Sequence, residues 1–347
     1  MRIVSYGVIT MNRGNRIVTL SLSGLVMMLL ILDAQTALAG AKEGITLCLY
    51  SVIPSLFPFF VVSVILTGSL TGQKMLFLRP LGKLCGIPHG AESLFLLGLL
   101  GGYPVGAQSI TNAYRQGQLE QDDARRLLGF CSNAGPAFLF GMIGPLFSSP
   151  LIPWVLWLIH ILSAMIVGML LPNKRDSACK LTDTKPISLP HAVERSLHIM
   201  ANVCGWIIVF RVILAILNRW ILWIVPAEWQ ALLSGLLELS NGCHALRTLP
   251  SDASRFIISS AILGCGGLCV GMQTISVTEG LGTGLYFPGK LLQSILSIMI
   301  SILLIPYLFH SFTPELKYAQ ISIVFVLGIA IIFYHLRKRK KVVALCE

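Results

Sequence analysis

Apolar residues run along this chain in blocks long enough to cross a bilayer, separated by short polar and basic stretches. The blocks are Ile17 to Ala39, Leu47 to Leu70, Phe130 to Phe147, Ile152 to Leu171, Ile199 to Val225, Ile257 to Ile275, Leu291 to Phe309 and Ile321 to Tyr334. Most approach the ~20 residues a spanning helix needs. Two further stretches, Ser93 to Val105 and Trp229 to Leu246, are too short or too polar for simple crossings. One breaks at Gly101-Gly102-Tyr103-Pro104-Val105-Gly106 and the other at Ser240-Asn241-Gly242. Irregular backbone at membrane depth is tolerated only where protein buries it or water reaches it. The pattern predicts an all-α polytopic membrane protein of about eight transmembrane helices plus two re-entrant half-helices.

Charge sets the expected orientation. The basic N-terminus and the tail Arg337-Lys338-Arg339-Lys340-Lys341 both belong in the cytoplasm, which makes the number of crossings even. The linkers with Lys74, Arg79 and Lys83, and with Lys174, Arg175 and Lys180, belong there too. A bacterial cytoplasmic membrane with anionic headgroups is the expected setting and partner. Nucleic acid is not expected, because the 26 Lys+Arg against 15 Asp+Glu lie between and beyond the apolar runs.

The order of blocks also repeats. EGITLCLYSVIPSLFPFFVVSVIL from Glu43 aligns without gaps to ERSLHIMANVCGWIIVFRVILAIL from Glu194. Downstream, LLGLLGGYPVGA pairs with LSGLLELSNGCH, and CSNAGPAF with LGCGGLCV. With the expected topology the halves are inverted copies, an arrangement many transporters use for alternating access. The chain divides into an N-terminal helix (1–39), a first repeat (40–172), a cytoplasmic linker (173–190), a second repeat (191–310), and a final helix with basic tail (311–347). Ala37-Leu38-Ala39 resembles a signal-peptidase site, so a cleaved leader is the alternative to a retained first helix.

Composition agrees with the pattern. Of 347 residues 55% are hydrophobic and 12% charged, with a mean hydropathy of +0.78. A soluble domain carries about a quarter charged residues. Cysteines sit mostly inside apolar segments with no CxxC pair, which leaves no metal site and no cofactor to expect. The sequence has no GxSxG, HExxH or phosphate-binding glycine loop, so it does not read as an enzyme. His160 reads as a polar residue of helix packing.

The candidate solute pathway follows the breaks. Tyr103, Pro104, Gly106 and Gln108 belong to the first, with Asn133 and Gly135 in the run Ser132-Asn133-Ala134-Gly135-Pro136. Asn or Ser there can cap the next helix, and Pro136 suits its first turn. Asn202 lies mid-span, Asn241 at the second break, and Gln273 follows the Gly264–Gly267 element. Arg211 and Glu238 are ionisable groups inside apolar stretches, costly unless paired, and a structural pair between them is expected. Arg115 to Arg126 reads as a solvated, amphipathic cytoplasmic helix.

PSLFPFF, GGYPVGA, SNAGPAFLFG and LGCGGLCVGMQ together resemble the nucleoside-recognition (Gate-domain) membrane family, and within it the YlbJ-type sporulation membrane proteins. The likeness spans roughly Lys42 to Phe309. It implies a duplicated helical membrane domain related in design to nucleoside transporters, and a role connected with spore formation. The sequence departs from a nucleoside carrier in having no obvious set of acidic and amide residues around both breaks, and fold does not fix substrate. The expected function is a permease for a small polar or anionic solute; a non-transporting scaffold for sporulation proteins is the alternative.

Overall fold

The computed structural model describes residues 13–70, 73, 75–172, 179, 187–310, 313–314 and 316–324. Most of the expected last span and the whole basic tail lie outside the described residues, as do Lys74, Lys174, Arg175 and Lys180.

The described chain is all-helical. We number the helices α1 (Arg13–Leu32), α2 (Ala34–Leu70), α3 (Arg79–Cys85), α4 (Glu92–Gly101), α5 (Val105–Arg115), α6 (Gln121–Cys131), α7 (136–146), α8 (Leu151–Leu170), α9 (Leu189–Trp220), α10 (Ala227–Leu237), α11 (Leu239–Leu246), α12 (Asp252–Cys265), α13 (Gly267–Val277) and α14 (Tyr286–Phe309). Among the described residues six segments are long and apolar enough to cross a bilayer: α2, α6–α7, α8, α9, α12–α13 and α14. The first expected span is divided differently from its reading in the sequence, because the helix breaks at Asp33 and α2 runs on through Ala39 to Leu70.

The surface is that of a membrane protein. Leu158, Leu162, Leu291, Ile295, Val62 and Phe59 are exposed, whereas Asn133, His160, Lys290, Gln293, Ser163 and Ser297 are buried. Water would penalise both halves of that distribution, and lipid rewards both. We conclude that the chain is a multi-pass membrane protein.

The two broken helices form the centre. In α6–α7 and α12–α13, 78% of the apolar window is buried, against 22–50% in the other four candidate spans. Around them stand α2 and α9, packed side by side in opposite directions. Gly40 and Gly44 make that approach possible: a Cβ on Gly40 would lie 2.8 Å from Ala215 Cβ, and one on Gly44 3.0 Å from Ile208 Cα. Asp33 ties off the pair by accepting from Trp220 Nε1 and Arg219 Nε, each at 3.1 Å. Both π-helical turns, 48–52 in α2 and 139–143 in α7, end two residues before prolines (Pro54 and Pro145), which have no backbone donor.

The stretches too short to cross are helical hairpins. Helix α4 (10 residues) folds back on α5 (11), and α10 (11 residues) on α11 (8). At about 1.5 Å per residue, each arm spans some half of a bilayer core. Gly106 approaches Gly98 in the first hairpin and Gly242 approaches Gly235 in the second, where backbones meet without side chains between them.

The hairpins enter from opposite ends of the molecule. One end gathers the end of α5 and the starts of α6 and α14: Leu285 N donates to Arg125 O (3.1 Å), and Arg115 Nη2 to Glu279 O beyond α13 (2.8 Å). The other gathers the end of α7, the turn after α11 and the start of α12, where Arg255 donates through Nη1 to Leu146 O (3.2 Å) and through Nε to Leu249 O (2.8 Å). Packing is matched across the centre, with α6 on α14 and α12 on α8.

The segment Arg115 to Arg126 is not one solvated helix. A turn at 116–120 separates α5 from α6, and Arg126 is 5% exposed. Its guanidinium donates to Cys85 O (2.7 Å), Gly86 O (2.9 Å) and Gly168 O, bolting α6 to α3 and α8. Arg79 likewise pairs with the buried Glu92 at 2.8 Å.

Candidate functional site

Breaks in the two hairpins and the first broken helix converge on one small cavity of about 50 Å³, lined by Gly102, Tyr103, Gly135, Glu238, Ser240 and Gln273 among others. At roughly 10–15 Å³ of such volume per water, it has room for a few waters and none for a solute. Ser240 also lines a second, open cavity of about 500 Å³ that reaches Lys42, Arg211 and Arg247.

The first tip turns at Gly102, whose φ of 70° suits a residue without Cβ. It delivers Tyr103 toward the second broken helix, with the hydroxyl 3.5 Å from Leu263 O. The Tyr103–Pro104 peptide is cis. Behind Tyr103, with its Nζ 5.5 Å from the ring centroid, lies Lys290. Lys290 is 2% exposed and donates to Gln293 Oε1 (2.6 Å) and Asn133 Oδ1 (3.2 Å). Among the described residues no carboxylate lies within ion-pair distance of it. A buried lysine held only by amide oxygens and a ring face is costly to charge without a counter-ion, and such groups mark pathways or ligands.

The neighbours of Lys290 are fixed. Asn133 Nδ2 donates to Phe130 O (2.8 Å), and Gln293 Nε2 to Asn133 Oδ1 (3.1 Å) and His160 O (3.2 Å). His160 Nε2 accepts from Ala134 N (3.0 Å), satisfying a free backbone donor at the break before α7. Along α14, Ser294 Oγ donates to Ala261 O (2.8 Å), Ser297 Oγ to Ser163 Oγ (2.9 Å) and Ser301 Oγ to Ser260 Oγ (2.5 Å). A polar stripe thus runs down the inner face of an otherwise apolar helix.

The second tip carries the opposite charge. Glu238, 2% exposed, caps α11 with both carboxylate oxygens, accepting from Ser240 N (2.9 Å) and Asn241 N (2.7 Å).

Of the expected pathway residues, Tyr103 and Gly135 line the small cavity, and Asn241 lines the larger one. Asn133 and Pro104 are buried, with Asn133 in the Lys290 cluster. Gly106 serves packing: a methyl there would lie 2.7 Å from Cys131 O. Gln108 sits a turn beyond the tip, half-buried, away from the cavity lining. Asn202 points outward on α9, while Val203 and Ile207 face the cavity. The expected Arg211–Glu238 pair is replaced. Arg211 pairs with Glu43 through Nε (3.0 Å) and Nη2, and its Nη1 donates to Asn241 Oδ1 (3.2 Å). The antiparallel fit of α2 to α9 sets Glu43 beside Arg211, and Glu238 is spent on its own helix.

No family model and no solved structure matches the chain. It is similar to the sporulation integral membrane protein YlbJ of Bacillus subtilis (strain 168), with 24% identity over 334 residues that cover 82% of this chain and 81% of that protein.

Proposed function

We propose that this chain is a YlbJ-like membrane transporter with a role in spore formation, moving a small anionic solute by alternating access between two inverted halves. The observation that carries the reading is Lys290, buried without a carboxylate partner directly behind Tyr103 where the breaks meet. An anionic group entering the cavity would supply the missing counter-charge once Tyr103 moves aside. Supporting the inverted halves are hairpins entering from opposite ends, and the paired sequence motifs, which fall at corresponding breaks. The hairpins are then the re-entrant elements, and the larger cavity lies toward the end that bears Arg247. The end carrying Lys83, Arg115 and Arg125 faces the cytoplasm by the positive-inside rule. The YlbJ relative supports the sporulation role.

The test is uptake by proteoliposomes of a panel of labelled small carboxylates, phosphate esters and nucleosides. Anion flux that Lys290→Met abolishes supports the reading. Flux of uncharged nucleosides alone, or anion flux indifferent to Lys290→Met, refutes it.

A further inference from the structure

The open cavity is unevenly charged. Lys42, Arg211 and Arg247 stand in its wall with His244, against one carboxylate, Glu43. Glu43 is the looser partner of its bridge, with a side chain 59% exposed against 20% for Arg211. One oxygen, Oε2, takes both contacts from the guanidinium.

Asn241 supplies a second, independent observation. It is 1% exposed, and its Oδ1 must face Arg211 Nη1 because a guanidinium only donates. Its amide nitrogen is thereby turned away, and Nδ2 is buried with no partner. An orphaned buried donor beside a bridged guanidinium is a place made for one more acceptor.

We propose that this cavity captures the carboxylate or phosphate group of the solute, and that Glu43 is the internal anion the solute displaces from Arg211. The incoming oxygens take over the guanidinium and accept from Asn241 Nδ2, with Arg247 and Lys42 adding charge. Displacement frees α2 from α9 at this level, so solute capture unlatches the pair of long helices. The proposal rests on the anion-transport reading above.

The opposite signs of two substitutions test it. The full-length protein in phosphatidylcholine nanodiscs is titrated with inorganic phosphate and with acetate at constant ionic strength. Glu43→Gln removes the competitor and should tighten binding about threefold, the scale of an exposed ion pair. Arg211→Gln and Asn241→Ala should weaken it, the former about tenfold or more. Arg211→Lys keeps the charge and should fall between, whatever the thermal stability of the Gln variant. A purely structural bridge gives the contrary result, with Glu43→Gln and Arg211→Gln moving binding the same way or not at all. Phosphate binding that disappears when phosphatidylglycerol is added to the discs assigns the cavity to lipid headgroups and overturns the proposal. Binding with the expected signs but no flux keeps the latch and removes the transporter; flux whose apparent affinity ignores Arg211→Gln does the reverse.

Discussion

The two hairpin tips share a scaffold and differ in charge. At the second, the backbone donors that open α11 are satisfied by Glu238, so the helix start is already occupied by an anion of the chain itself. At the first, no acid is present: the tip offers Tyr103, and the neighbouring break is capped by the neutral ring of His160. Behind it stands the Lys290 amine, donating to Gln293 and Asn133 and free of any carboxylate among the described residues. A helix start in mid-membrane is a ready anion site only while nothing internal fills it. The comparison assigns the solute's charged group, once past the Arg211 cavity, to the Lys290 side and a structural role to Glu238.

Substitutions can break or sharpen that contrast. The largest effect belongs to Lys290→Met. Losing a buried charged contact to the solute should cut flux about 100-fold or more. Thermal stability of the detergent-solubilised protein should hold or rise, because an apolar chain replaces an unpaired buried charge. A fall in stability with flux retained would make Lys290 merely structural. Next comes Gly98→Ala, whose methyl would run into Cys131 O. Both hairpin and broken helix must shift, at about 3 kcal/mol, read as a lower melting temperature. His160→Ala strands the Ala134 N–H and should cost about 1–3 kcal/mol in the same assay. Glu238→Gln keeps one acceptor for two backbone donors. It should cost about 1 kcal/mol and lower flux far less than Lys290→Met. Asn202→Ala should change stability by no more than about 0.5 kcal/mol and leave flux intact, because the side chain points away from the cavity.

How far the sequence alone carried can be judged residue by residue. Six of the expected spans were legible from block length, and the broken stretches from glycine, proline and asparagine in apolar surroundings. The outward face of Asn202 is not legible in the sequence, because α9 is apolar nearly all round there and does not say which face packs. Arg211 was matched to Glu238 because both are charges in apolar stretches. The register that brings Glu43 to Arg211 is set by helix contact at Gly40 and Gly44, which a sequence does not display as register. Lys290 was passed over because it lies one residue before an apolar run and reads as a flank. A signal existed: Lys290, Gln293, Ser294, Ser297 and Ser301 recur at helical spacing, a polar stripe that lipid would not tolerate facing outward.

Alternating access between inverted halves depends on the hairpins opening to opposite sides of the membrane. Gln116→Cys, in the turn after α5, and Thr248→Cys, in the turn after α11, place exposed thiols at the two hairpin bases. Each is to be treated with a membrane-impermeant maleimide in intact cells and in inverted vesicles, with the native protein as control. Inverted halves require labelling of Gln116→Cys in inverted vesicles only and of Thr248→Cys in intact cells only. Labelling of both from one side would contradict the inverted halves, and with them alternating access.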